Sequence, residues 1–317
     1  MPPLSILRSE RYSPGHPARR GVLVSLMTLV VGCASTHSPL VFQSDFGLKD
    51  GAVSAMHGVS RSIEPNLGIF NLTHEIPAFS VWEASYRLWQ TSPYWPEGTV
   101  FVSVVDPGVG TNRKSVVAES GGRFFVTPDN GSLSHLERHV GVTSVREIDE
   151  TRYRRPGSEQ SHTFHGRDVY AYTGALLASR QIRFKDVGPV LRPKALQTMR
   201  LPEVRQEADA IVGAVEILDP QYGNVWTNIT REDLKALNIK PGDTLLVSFR
   251  MRATPLPKTW QALKIPMART FAEVPIGSEL VYWNSLERLS FAVNQGDFAK
   301  RYQIHSGPMS LVRISKL

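Results

Sequence analysis

Thr99-Val100-Phe101-Val102-Ser103-Val104-Val105-Asp106 is the stretch that decides the fold. It is apolar with almost no alternation, the pattern of a strand covered on both faces. It ends on a carboxylate followed by Pro107-Gly108-Val109-Gly110, a turn signal. Upstream, Leu40-Val41-Phe42-Gln43-Ser44-Asp45-Phe46-Gly47 repeats the scheme: a buried strand, a terminal aspartate, a turn. Between the two lie a helical pattern through Met56, Val59 and Ile63 that stops before Pro65, a strand over 67–72 and a helix over 81–88. Strands alternating with helices predict a layered α/β domain with a mainly parallel sheet. Ligands of such sheets sit at the carboxyl ends of strands, so Asp45 and Asp106 are predicted to line one crevice.

The pattern changes after about residue 195. Short apolar segments at 210–218, 244–249, 279–283 and 289–293 are separated by Pro and Gly turns, which predicts a smaller, β-barrel-like C-terminal domain. The polar, Pro-containing stretch 192–208 is the expected boundary, giving an α/β domain over 40–195 and a β domain over 208–317.

The first 32 residues read as an address. Arg8, Arg11, Arg19 and Arg20 precede an uncharged stretch, 21–31, of the length of a signal-peptide core and too short to span a bilayer. It leads into Val31-Gly32-Cys33-Ala34-Ser35, which resembles a bacterial lipobox, with the chain's single cysteine at the acylated position. Residues 1–32 are therefore expected to be a signal peptide and 33–39 a linker, placing the protein on a lipid anchor at Cys33 in the bacterial cell envelope. One cysteine also excludes an intramolecular disulfide framework and a cysteine-based zinc cage. The 317 residues carry a formal charge of +7, and removing the leader's four arginines and one glutamate lowers this to +4. So small a surplus does not point to nucleic acid. The basic run Arg152-Tyr153-Arg154-Arg155 reads as a solvated loop.

Four clusters carry candidate chemistry: 44–50, 105–113, 127–132 and 163–168. In the second, a strand-end carboxylate is followed by a glycine-rich turn and, seven residues on, by Arg113; the glycines let the backbone approach a ligand closely. The lysine of a phosphate-cradling loop is absent. In the last, Thr163-Phe164-His165-Gly166-Arg167-Asp168 brings a histidine and two charges to the end of a polar loop. His74 has no second histidine at ligand spacing and reads as structural, so no metal is expected.

Taken together and in this order, Asp-Pro-Gly-Val-Gly-Thr at 106–111, Pro-Asp-Asn-Gly at 128–131 and Phe-His-Gly-Arg-Asp at 164–168 resemble the S-adenosylmethionine (SAM) hydroxide adenosyltransferase family, the SAM hydrolases related to fluorinating and chlorinating enzymes. The likeness continues through 219–229 and 282–285. It implies hydrolysis of SAM, as substrate and without a cofactor, to adenosine and L-methionine at the ribose 5′ carbon. It implies a homotrimer with sites at subunit interfaces. It assigns the handling of water to Asp106, Arg113 and His165. It assigns substrate contacts to Asp45 (ribose), Asp50 (the methionine amino group), Phe79 (beside the reacting carbon), Tyr222, Asn224 and Trp226 (adenine) and Ser285 (the methionine carboxylate).

The chemistry agrees with that set. The sulfonium leaves as a neutral thioether, so no general acid is needed; the work is to align a water and take its proton. Arg113 can hold a hydroxide-like oxygen, Asp106 can orient both, and His165 titrates nearest neutrality. The residues leave open which of Asp106 and His165 accepts the proton. A carboxylate at 106 also argues for water over halide. Two places depart from the family's pattern: 284–288 lacks a common glycine, and Phe298 stands where it is expected to narrow the adenine pocket. The competing reading is a non-catalytic, envelope-anchored adenosine- or SAM-binding protein; a metal-dependent hydrolase finds no ligand spacing.

Overall fold

The computed structural model describes residues 37–250 and 261–317. The leader, Cys33 and most of the linker lie outside the described residues. The first part of the chain runs β1 (Leu40–Ser44), α1 (Ala52–Ile63), β2 (Ile69–Thr73), α2 (Val81–Thr91), β3 (Val100–Val104), β4 (Ser115–Ser120), β5 (Arg123–Pro128), α3 (Ser134–His139) and β6 (Ser144–Glu147). A π-helical turn, Gly166–Ala171, then runs into α4 (Tyr172–Ala178), and β7 (Val190–Leu191) follows.

These strands form a seven-stranded sheet of order β2-β1-β3-β5-β4-β6-β7. It is mixed: the pairs β1–β2, β1–β3 and β3–β5 are parallel, and the pairs beyond β5 are antiparallel. The expected parallel sheet thus holds on the side that carries Asp45 and Asp106. Every residue of β3 is buried, which explains its unbroken apolar run. Strand periodicity sends Val100, Val102 and Val104 into a core shared with α1 and α4, and Phe101 into the core on the other face with α2 and α3. The result is three layers, helices on both faces.

The second part runs β8 (Arg205–Gln206), β9 (Ala210–Asp219), β10 (Asn224–Thr230), β11 (Thr244–Arg250), β12 (Gln261–Pro266), β13 (Glu279–Trp283), β14 (Arg288–Val293), α5 (Phe298–Tyr302) and β15 (Leu311–Lys316). Its sheet, ordered β12-β11-β15-β9-β10-β14-β13 with β8 beside β9, is antiparallel. A bridge between Met267 and Val281 brings its two ends together, so it nearly closes into the expected barrel. The interior is filled by Val215, Val225, Val247, Ile265, Phe291 and Ile314. Phe298 is buried with them, against Phe249 and Phe291. It therefore does not narrow an adenine pocket: it opens α5 and plugs the barrel, because an apolar ring gains more there than at a polar rim. Two bonds tie the layers to the barrel, from Trp82 Nε1 to the Glu216 carbonyl (2.7 Å) and from Arg87 Nη2 to the Leu218 carbonyl (2.9 Å). No helix among the described residues is long and apolar enough to cross a membrane.

The contact between α4 and β3 depends on a missing side chain. A Cβ on Gly174 would stand 2.4 Å from Val102 Cγ2 and 3.3 Å from Leu40 Cδ1. Gly174→Ala gains helix propensity but forces the two layers apart. Urea titration should show it less stable by about 1–3 kcal/mol, the usual cost of overpacking; a variant as stable as the parent would refute so tight a contact.

Candidate active site

Asp45 follows directly on β1 and Asp106 two residues after the end of β3, at the carboxyl ends of neighbouring parallel strands where Ser44 pairs with Val104. Together with Phe46, Phe79, Val109, Phe164 and His165 they line one cavity of about 240 Å³. The predicted crevice is therefore present, with both carboxylates in it.

The turn after Asp106 is built to return the chain to that carboxylate. Val109 N donates to the Asp106 carbonyl (3.2 Å), and Gly110 takes φ +79°, a conformation glycine adopts at little cost. Arg113 then reaches back with a forked contact: Nε to Asp106 Oδ1 at 3.0 Å and Nη2 to Oδ2 at 2.5 Å. Both side chains are almost fully covered, so the pair is a buried, bidentate salt bridge. Burial works against the Arg113 charge, but the bond to Asp106, with Tyr170, Asp106 and Glu150 around it, prevails and raises the pKa above its ordinary value.

His165 arrives from the opposite side. It caps the π-helical turn, which is stacked close on the sheet: a Cβ on Gly166 would meet Val104 at 3.1 Å and the Phe46 ring at 3.3 Å. Its Nδ1 stands 2.9 Å from Arg113 Nη2. Asp106, Arg113 and His165, separated by up to 59 positions in sequence, thus meet beside a cavity. Behind them is a layer that sequence reasoning missed. Arg113 Nη1 donates to Ser115 Oγ (3.0 Å), which donates to Glu150 Oε1 (2.7 Å); the Tyr170 hydroxyl lies 3.2 Å from the same Oγ. Glu150 Oε2 accepts from Arg154 Nη2 (2.9 Å), and that nitrogen stands 3.3 Å from His165 Nε2. Arg155 Nε bonds the buried Asp168 (3.0 Å), which Arg167 also holds. The basic run is therefore not a solvated loop; the Glu150/Arg154 spacing of four was the available signal. Ion pairing with Arg167 and Arg155 outweighs the cost of burial and lowers the Asp168 pKa to about 2.

The predicted substrate contacts divide. Asp45 Oδ2 accepts the Phe79 backbone N–H at 2.8 Å, and Phe79 is held at φ +68° with its ring exposed at the cavity. Asp50 is exposed and its Oδ1 accepts from Ala52 N (2.8 Å) at the start of α1, outside the lining of that cavity. Tyr222 and Asn224 line a different cavity of about 830 Å³ on the barrel, with Asp219, Phe271 and Asn294, and the two cavities have no residue in common. Trp226 lies in β10 opposite Ser290 and Ile217, and Ser285 is exposed in the turn between β13 and β14; neither lines either cavity. His74 is buried between Ser44 Oγ (2.7 Å) and Asn71 Oδ1 (3.0 Å), a structural position, and burial lowers its pKa to about 4. Among the described residues no group of three or more His, Cys, Asp or Glu is placed to hold a metal ion.

The family model of the SAM hydroxide adenosyltransferase N-terminal domain matches residues 40–188, and that of its C-terminal domain matches 213–309. The chain belongs to the SAM hydroxide adenosyltransferase family. It is 34% identical over 258 residues to a Salinispora tropica protein named (R)-S-adenosyl-L-methionine hydrolase, covering 80% of this chain and 90% of that one. A protein of Actinopolyspora mzabensis named fluorinase is 26% identical over 294 residues, covering 84% of this chain and 94% of that one. A solved structure of an uncharacterized conserved protein from Thermotoga maritima superposes with a TM-score of 0.77 at 32% identity, covering 87% of this chain and 99% of that one.

Phe79 offers a direct check on how Asp45 shapes this family member's cavity. A bulky residue at positive φ is strained, at about 1–2 kcal/mol. Phe79→Gly should therefore be more stable than Phe79→Ala by about 1 kcal/mol in chemical denaturation, reversing the usual order of the two residues. Alanine proving the more stable would mean the left-handed turn is not held.

Proposed function

We propose that this protein is a hydrolase that converts SAM and water to adenosine and L-methionine. The observation that carries the reading is the meeting of Asp106, Arg113 and His165 beside a cavity that Asp45 and Phe79 also line. The water oxygen bonds to the ribose 5′ carbon as the carbon–sulfur bond breaks. The bonding pair goes to sulfur, neutralising the sulfonium, and one proton is released. With Asp106 paired to Arg113, Asp45 leaves the cavity wall a net negative charge, which favours a cationic substrate and disfavours a halide ion. A nucleophile that must shed a proton suits such a wall; chloride or fluoride does not. Arg113 supplies fixed positive charge next to the oxygen that develops negative character, without reorganising as it does so.

The adenine contacts belong to the second cavity in this reading. Tyr222 and Asn224 line it and Asp45 lines the first, an arrangement that suits a substrate held between copies of the chain, as in the homotrimer with interface sites that the family resemblance implies. The leader and Cys33 support an envelope address, where the substrate is exported or extracellular SAM or a related nucleoside sulfonium; Cys33→Ser should lose incorporation of labelled fatty acid and become soluble.

Mass spectrometry of products decides the activity. Purified protein with SAM should form equimolar adenosine and methionine, with no 5′-halo product in fluoride or chloride. Arg113→Ala should lower kcat by about 10²–10³-fold, as removal of one donor to a developing anion does elsewhere. Binding of adenosine without turnover would favour the receptor reading instead.

A further inference from the structure

His165 is enclosed by arginines. Nδ1 lies 2.9 Å from Arg113 Nη2 and Nε2 lies 3.3 Å from Arg154 Nη2. A guanidinium has donors and no acceptor, and a neutral imidazole has one nitrogen that accepts and one that carries hydrogen. The shorter contact makes Nδ1 the acceptor for Arg113. A second proton on the ring would then set N–H against N–H at Nδ1 and place a third cation between two guanidinium groups.

The contacts also form a chain. It runs from Arg113, which holds Asp106 as well, through Ser115 and Glu150 to Arg154, whose charge stands 3.3 Å from His165 Nε2; with Nδ1 accepting from Arg113, Nε2 carries the ring hydrogen and takes no bond from that guanidinium. Two carboxylates and two guanidiniums balance when the ring is neutral. Arg154 is itself fixed, by Glu150 Oε2 at 2.9 Å and by the Ser161 carbonyl at 3.1 Å, and it does not line the cavity.

We infer that Arg154 is a positioning residue that keeps His165 neutral, so that the ring serves Arg113 as a hydrogen-bond acceptor and the proton of the attacking water passes to the Asp106 carboxylate on its way to solvent. This deepens the hydrolase reading and rests on it. The groups facing His165 are Asp106 and Arg113 from the β3–β4 turn and Glu150 and Arg154 from the segment after β6. Burial lowers the histidine pKa first; Glu150 opposes this, Arg113 and Arg154 add to it, and the net direction is down.

Ring nitrogen-15 shifts of the full chain, assigned with His165→Gln, test this with pH. The wild-type ring should stay neutral below the ordinary midpoint of about 6.5. In Arg154→Gln the midpoint should rise toward 6.5, and the acid limb of kcat should rise with it. One pH unit below the variant's own midpoint, kcat should be down about 10-fold from its plateau. KM should hold, and activity should recover near pH 8, where both rings are neutral. Arg154→Lys, which keeps the charge, should retain the wild-type midpoint. A wild-type imidazolium at pH 7, or a midpoint that does not move in Arg154→Gln, overturns the inference. If Arg154→Gln fails to fold, the wild-type ring state and Arg154→Lys still decide. An absence of turnover would remove the hydrolase reading and leave the ring measurement standing.

Discussion

The forked contact between Arg113 and Asp106 is the constraint around which the site is arranged. Both groups are nearly excluded from water, and neither could be so placed alone. Removing one partner of such a pair leaves the other charge buried, at roughly 3–5 kcal/mol. The pair therefore needs a rigid frame on both sides. Asp106 is fixed by following a fully buried strand, and Arg113 by a turn whose glycine takes a positive φ and by immediate entry into β4. A salt bridge adds little to fold stability by itself; on the proposed function its worth is a charge set in place before any substrate arrives.

The layered fold explains why this pair faces a cavity. Strands β1 and β3 are parallel and in register, so both terminal aspartates emerge at one edge of the sheet. The π-helical turn packs over that edge and delivers His165, and its closeness leaves little room for a side chain at 166. Beyond the widened turn, α4 keeps its apolar face on Val100 and Val102.

Much of this was legible from the chain. Unbroken apolar runs marked the buried strands, Pro and Gly marked their ends, and the strand-end rule put Asp45 and Asp106 in one crevice. What could not be read were features set by tertiary geometry. Arg154 sits in a run of like charges that resembles solvent-exposed sequence, and its role depends on Glu150 and His165 arriving from either side. Phe298 follows an aspartate and a glycine, a polar setting, yet its ring enters the barrel because Asp297 caps α5 and turns it inward. Phe79 lies beside Pro77 and Ala78 with no glycine to announce a left-handed turn; a carboxylate 34 positions away imposes it.

Charge accounting around His165 links structure to chemistry more closely than any single contact. If the ring were the base, each turnover would pass through an imidazolium lying between two guanidiniums, with Arg113 robbed of an acceptor just when, on the proposed mechanism, it holds the developing oxygen anion. If Asp106 is the base, its charge is cancelled while Arg113 still holds two partners, His165 and Ser115, and stays in place. The second course suspends the Arg113–Asp106 ion pair, but the protonated carboxyl can still accept from Arg113, so every donor stays where it began. The histidine then matters for where its lone pair points, and a residue chosen in many enzymes for carrying protons serves here by declining one.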